Sequence, residues 1–498
     1  PHSGHPPTQR LAADTPDFHS NTRYSIRHAD AQPLHLDLIS DLFDGDVARV
    51  SKYLPTAIMG KKLVHWLDRS LSRGRVEHAT ALISGPLATF PYHKTRNGTF
   101  EVVALTRDTP LDYQQGWPPL EDVSARLEFH ENSLDITLLE GRIYNSTIEQ
   151  ARATISSLDP TSPLLMKGRL KGPLEDEIRL LREDALRKEF GHIAEALQVG
   201  GNAELKLDFA VPLVDGRGDY RLDGSLFFNN ASLSLPDWDL DITQVNGELG
   251  ISLDALRGSG IRGEAFGRPV QVDVTPMPNG DTRVSARTSL GNDALARQLP
   301  QLAAPLRQLL DGEAEFSIEV DIPGISAAPG APTILSVASS LEGMRLNLPP
   351  PLAKAPQERK DLLVSMPVAG EPRPTLFSLG SQLSGAFSPD WQSGQIRYQR
   401  GKATPPGPAG YQLHARLEHL DLDAWQNALV SYDGHRGAPP EWLADIHSER
   451  LLLGGISLDE AKLKVQAKTG TLQGTVASRQ LEGEFSYPTG NAQPLDMH

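Results

Sequence analysis

Apolar and polar residues alternate along many short stretches of the chain. In residues 312–323, GEAEFSIEVDIP, the apolar positions include Phe316, Ile318, Val320 and Ile322, and mostly acidic residues separate them. A period of two is typical of a β-strand that has one apolar face and one face in water. The pattern therefore predicts an amphipathic strand and leaves open what covers its apolar face.

Two further stretches show the same alternation. They are residues 201–212, GNAELKLDFAVP, and residues 133–155, which begin SLDITLLEGRI. Both predict strands with one apolar face. The apolar positions that we take as candidate lining residues in these stretches are Leu205, Leu207, Phe209, Val211, Leu134 and Ile136.

A helix followed by several strands recurs along the chain. Stretches rich in Leu, Ala, Glu and Arg predict helices near 48–74, 174–200, 290–310 and 420–432. The motif Gly-x-[Val/Ala]-Glu follows the first three, and its glycine can close each helix at its C-terminus. The repeat predicts these segments: 1–46, the end of a preceding β unit with a disordered N-terminus; 47–173, 174–289 and 290–419, each a helix plus a β-meander; and 420–498, a helix plus the start of a further unit.

The chain is predicted to be mainly β. Successive strands follow one another after about 8–12 residues, and such short connections favour antiparallel neighbours. Three architectures accommodate so many one-faced strands: a closed sandwich, a barrel or solenoid, and an open curled sheet. Four helices are few for covering more than twenty predicted strands, which favours the open sheet without excluding the others.

Charge and composition exclude several classes of function. The net charge is −15, so the surface does not attract nucleic acid or, in general, an anionic bilayer surface. The chain contains no cysteine, which excludes disulfides, Cys-ligated zinc and Cys nucleophiles. No apolar stretch is long enough for a membrane-spanning helix, and neither end resembles a natural terminus, so we expect a piece of a longer protein.

No catalytic motif is present in the sequence. Gly-x-x-x-x-Gly-Lys-[Ser/Thr], Gly-x-Ser-x-Gly and His-Glu-x-x-His are all absent. The sequence therefore predicts neither an enzyme nor a bound metal or cofactor.

Several motifs resemble a known family. They include HWLDRSLSRGRVEHATALISGPLATFPYHKTRNGTFEV, the segment GWPPL at 116–120, LEGMRLNLPPPLAKAP and LEHLDLDAWQNAL. This pattern resembles the YhdP family of large AsmA-like proteins of Gram-negative bacteria, and the resemblance covers most of residues 35–490. The paired Phe90-Pro91-Tyr92 and GWPPL segments are its most specific parts.

The resemblance implies a fold and a function. Proteins of this family are anchored in the inner membrane, and a long, twisted, taco-like β-sheet carries phospholipid through a hydrophobic groove across the periplasm to the outer membrane. The chain is then expected to be a middle region without the anchor, with the candidate lining residues facing the acyl chains. Contacts with the two membranes would come from other regions. The alternative is a structural β-repeat protein of the envelope whose apolar faces cover one another.

Overall fold

The computed structural model of the chain is mainly β. It describes residues 8–28, 33–53, 68–112, 116–158, 162–183, 197–212, 220–236, 240–253, 255–298, 303–324, 327–405, 410–430, 441–468, 471–488 and 496–497. The chain divides into two compact units, residues 1–237 with 241–256 and residues 238–240 with 257–498, which are described separately. The five predicted segments are smaller than these units, and their boundaries stay predictions.

The first unit contains twelve strands in its described residues. The strands are β1 (Gln9–Asp14), β2 (His19–Arg27), β3 (His35–Asp46), β4 (Arg75–Pro86), β5 (Thr99–Leu111), β6 (Leu120–His130), β7 (Ser133–Ile143), β8 (Ser146–Ile155), β9 (Pro163–Pro173), β10 (Gln198–Pro212), β11 (Arg221–Leu235) and β12 (Leu240–Ser252).

Strands β1 to β11 form one antiparallel meander in chain order. Each pairs with the next along the chain, from β1–β2 through to β10–β11. Among the described residues β1 pairs with β2 and not with β11, so this sheet is open as predicted. Most of its connections are short and keep sequence neighbours adjacent in the sheet, which is the usual consequence of hairpins; longer segments join β3 to β4 and β9 to β10.

The second unit contains sixteen strands in its described residues. They are β13 (Leu256–Ala265), β14 (Arg268–Pro276), β15 (Thr282–Gly291), β16 (Leu310–Ile322), β17 (Thr333–Ser339), β18 (Met344–Leu346), β19 (Leu362–Ala369), β20 (Thr375–Leu379), β21 (Leu383–Phe387), β22 (Ser393–Tyr398), β23 (Gly410–Asp421), β24 (Trp442–Leu453), β25 (Ile456–Lys468), β26 (Thr471–Ala477), β27 (Glu482–Pro488) and β28 (Asp496–Met497).

The second sheet is mixed, and here the antiparallel prediction is wrong at two pairings. Most neighbours pair antiparallel, with β18 beside the first residues of β16 and β19 beside β17. β22–β23 and β23–β24 are instead parallel. Parallel neighbours need a crossover connection. Residues 399–409 carry the chain from β22 to β23, and residues 422–441 carry it from β23 to β24.

The described helices are short and lie between strands. They are α1 (Leu174–Leu181), α2 (Asn292–Gln298), α3 (Ala303–Leu309) and α4 (Leu422–Val430), with 3-10 turns at Val47–Tyr53 and Leu87–Thr89. The predicted helices at 174, 290 and 420 are thus confirmed at their starts. Most of the predicted helix at 48–74 lies outside the described residues.

Except for the 3-10 turn Leu87–Thr89, which follows β4, the described helical segments lie at one edge of each sheet. In the first unit they follow β3 and β9, which run in the same direction, and Pro173 before α1 pairs with Asn202 after it. In the second unit they follow β15 and β23, and Gly291 before α2 pairs with Glu313 after α3. Because each helical segment is inserted at the end of a strand, it covers only that end. We call this the helix-bearing edge and the opposite one the open edge.

The glycine of the repeated motif lies inside a strand rather than at the end of a helix. Gly201 and Gly312 have φ values of 86° and 95° and belong to β10 and β16. The register of β10 against β11 shifts at Gly201, and a Cβ there would lie 2.8 Å from the Cα of Ala231. The glycine therefore permits a β-bulge at a close approach of two backbones, so the predicted helix-closing role is wrong for these two positions.

Candidate functional site: the apolar face of the sheets

Two adjacent rows of apolar side chains cross the first sheet. Each row joins residues that are direct partners on neighbouring strands, so its members share one face. The longer row crosses β3 to β11 and consists of Leu42, Ala79, Ala104, Leu127, Ile136, Ala153, Met166, Phe209 and Leu222. The second row crosses β4 to β10 and consists of Ala81, Val102, Phe129, Leu134, Ile155, Leu164 and Val211.

A row of the same kind crosses fourteen strands of the second sheet. It consists of Ile261, Val272, Ala286, Ile318, Val337, Val364, Phe377, Gly385, Ile396, Leu413, Ala444, Val465, Gly474 and Phe485. Aromatic rings cover its two glycines: a Cβ on Gly385 would overlap the ring of Phe377, and a Cβ on Gly474 would lie 2.5 Å from the ring of Phe485. The apolar row is therefore continuous across these strands.

The candidate lining residues fall into two groups by burial. Leu205 and Phe316 are only 6% and 2% exposed. Phe316 packs with Leu290, Ala294 and Met344, a cluster at the helix-bearing edge. These two side chains therefore contribute to the core of the protein itself. The candidates that lie farther along the strands or on β7 are half-buried: Leu207, Phe209, Val211, Ile318, Val320, Ile322, Leu134 and Ile136.

The opposite face of the second sheet is polar and largely charge-paired. Glu313 accepts a hydrogen bond from Arg268. Arg283 lies 3.2 Å from Glu319 and donates to Asp321 at 2.6 Å, and the bond to Asp321 raises the pKa of the guanidinium. Three acidic residues of β16 are thus matched by arginines on β14 and β15.

The first sheet repeats this arrangement on its polar face. Arg169 lies 3.2 Å from Glu204, and Lys167 lies 2.7 Å from Asp208. The hydrogen bond from Lys167 lowers the pKa of Asp208. These groups are all partly exposed to solvent, so each pair contributes little to stability. These ion pairs keep one face of the sheet polar and in contact with water, whereas the other face is apolar.

Two carboxyl groups of α1, those of Asp176 and Glu177, are buried against the first sheet, and sequence reasoning missed both. Asp176 accepts hydrogen bonds from the Ser146 hydroxyl at 2.6 Å and from the Asn145 backbone N–H at 3.0 Å. Glu177 is buried, and its carboxylate oxygens have no hydrogen-bond partner within the described part of the chain. Burial raises the pKa of Glu177 to about 7. Acidic residues are common in the first turn of a helix, so the sequence of α1 did not indicate that two of them are buried.

A cluster of aromatic rings at the open edge was also missed. Phe387 stacks on Phe377 at 5.9 Å and on Trp391 at 5.1 Å between ring centroids, and Tyr411 lies 6.4 Å from Phe387. The signal in the sequence was the turn FSPDW, where aromatic residues flank a Ser-Pro-Asp turn between two short strands.

The described residues hold no group of three or more His, Cys, Asp or Glu side chains that could bind a metal ion. Within the same residues, no helix has both the length and the hydropathy to cross a bilayer. What the described face offers chemically is a long, half-exposed apolar surface beside a charged one. Such a surface binds apolar chains by removing them from water.

These features define a mainly β protein whose open sheets each carry a continuous apolar face. The chain belongs to the YhdP protein family, whose model matches residues 7–498. It is 23% identical over 401 residues to the intermembrane phospholipid transporter YhdP of Escherichia coli (strain K12), a match that covers 78% of this chain and 31% of that protein. The chain thus spans about a third of the length of this curated relative. No solved structure matches the chain.

Proposed function

We propose that this chain is a segment of a lipid-transfer conduit, in which the apolar rows carry the acyl chains of phospholipids. The observation that carries the proposal is the unbroken row through Ile318 and Phe377, fourteen strands wide and half-exposed along most of its length. The name of the curated relative, an intermembrane phospholipid transporter, supports the same cargo.

The energetics of lipid movement explain why such a face is needed. A phospholipid with two acyl chains exposes roughly 30 methylenes when it leaves a membrane, at about 0.8 kcal/mol each, or on the order of 24 kcal/mol in all. A continuous apolar surface removes most of this cost at every point of the path. It needs no catalytic group, so we propose that the chain acts without enzymatic chemistry.

The proposed location is the periplasm, with movement from the inner to the outer membrane. We assign the contacts with both membranes to other parts of the longer architecture that the curated relative represents. The charge-paired face, with Arg283 between Glu319 and Asp321, would then be in contact with water.

Photo-crosslinking tests the proposal directly. A benzophenone amino acid replaces Phe209 or Ile318 on the apolar face, and Leu376, an exposed side chain on the opposite face of β20, serves as the matched control. We expect phospholipid adducts at Phe209 and Ile318 in cells and none at Leu376. A correctly folded chain that captures no lipid at either apolar position would refute the conduit and favour the structural alternative.

A further inference from the structure

The aromatic cluster of Phe377, Phe387, Trp391 and Tyr411, which we call the rim cluster, occupies the open edge of the second sheet. β21 runs in the same direction as β16, because an even number of antiparallel pairings separates them. The turn after β21, which carries Trp391, therefore lies at the edge where β16 ends. The helices α2 and α3 lie at the opposite edge.

The rim cluster is continuous with the apolar row. Phe377 belongs to the same row as Ile318. Its ring stacks on Phe387, which in turn stacks on Trp391 with an interplanar angle of 24°. Apolar contact thus passes without a gap from the middle of the sheet to its open edge.

Exposure increases along this path. Phe377 and Phe387 are half-buried, whereas Trp391 is 50% exposed. The Tyr411 hydroxyl donates a hydrogen bond to the Trp391 carbonyl and so fixes the turn against β23. The indole ring is held in place on its inner side and is open to solvent on the other.

Tryptophan and tyrosine suit the boundary between apolar chains and water, since each combines an apolar ring with a polar tip. For the same reason both are enriched where a membrane protein meets the lipid headgroups. At the helix-bearing edge beside α2 and α3, by contrast, the cluster around Phe316 and Met344 covers the apolar face with protein side chains.

We propose that the rim cluster binds the glycerol and headgroup end of a phospholipid whose acyl chains lie on the row through Ile318. This inference rests on the proposed conduit function and adds an orientation to it. Lipid headgroups leave the sheet at the open edge, beside Trp391, and the helix-bearing edge stays free of them.

Depth-dependent fluorescence quenching tests the orientation. The chain has no cysteine, so the variants Trp391→Cys, Ile318→Cys and Leu376→Cys each take a single bimane fluorophore. Each labelled chain is loaded from phosphatidylcholine vesicles that carry a nitroxide either on the headgroup or near the methyl end of an acyl chain. Thermal melts monitored by circular dichroism confirm that each variant is folded.

We expect the headgroup nitroxide to quench position 391 at least twofold more than the acyl nitroxide does, with the opposite order at position 318. Position 376, on the polar face, should be quenched by neither. Stronger acyl quenching at 391, or no quenching there while 318 responds, would overturn the orientation alone. No quenching at 318 or 391 would overturn the conduit as well. If Trp391→Cys does not fold, Gln392→Cys places the fluorophore on the same turn.

Discussion

A charge in the middle of the apolar row provides the sharpest test of lipid binding. Ile318 is half-buried and lies between Ala286 and Val337 on the neighbouring strands. Ile318→Asp places a carboxylate where an acyl chain would cross β16. A strand is about 4.8 Å wide in the sheet, and on the order of three methylenes would lose their apolar contact at about 0.8 kcal/mol each.

The expected loss is therefore about 2.4 kcal/mol, or roughly 60-fold in phospholipid affinity. Displacement of a fluorescent phospholipid from the purified chain measures this change. Ser317→Asp is the matched control, because Ser317 lies on the polar face opposite Arg287 and should leave affinity unaltered. Wild-type affinity in a folded Ile318→Asp chain would refute the assignment of the row as the lipid path.

Three further predictions concern stability. Gly385→Val should lower the unfolding free energy by about 1–3 kcal/mol, because the new side chain must displace the ring of Phe377; a chemical melt that shows no loss would contradict this packing. Asp176→Ala should cost about 1–3 kcal/mol, since it leaves the buried Ser146 hydroxyl without its acceptor, and Asp176→Asn should recover part of that loss. Burial raises the pKa of Glu177 from 4.5 to about 7, so the folded chain binds this proton more tightly than the unfolded chain does. The contribution of Glu177 to the unfolding free energy is therefore greatest below pH 4.5 and is lost as pH rises through 7. Glu177→Gln should remove this fall and raise the unfolding free energy at alkaline pH by about 2–3 kcal/mol. Urea melts of both proteins across this pH range measure the change. The same pH dependence in the wild-type and Glu177→Gln chains would contradict the prediction.

Local alternation was sufficient to predict the strands but not all of their pairings. β10 and β16 follow directly from a period of two, and α1 begins at the predicted residue 174. The parallel pairing of β22 with β23 was missed because the connection at 399–409 is short and lacks a helical pattern. Short connections normally join antiparallel neighbours. Residues 401–404 of this one instead lie against the polar face of the sheet, where Ser384 donates to the Gly401 carbonyl and the Thr404 N–H donates to Gln395.

The sequence predicted which side chains lie on the apolar face, but not where the protein core ends and the half-exposed part of that face begins. Alternation assigns Phe316 and Ile318 to the same side of β16, which the structure supports. Alternation carries no information about how many residues of the strand are covered by the helical segment. Only the packing of α2 and the Met344 region reveals that Phe316 belongs to the core while Ile318 stays half-exposed. Charge pairing of the acidic face was hidden for a similar reason, because it depends on the register that places Arg283 beside Asp321.

The parallel pairing of β22 with β23 determines where α4 can lie. If residues 399–409 formed a hairpin, β23 would run in the opposite direction and α4, which follows it directly, would emerge beside Trp391. Because β22 and β23 are parallel, β23 begins at the open edge, and α4 lies at the opposite end of that strand from the rim cluster. The direction of this one strand thus decides whether this stretch of the sheet has helices at one edge or at both.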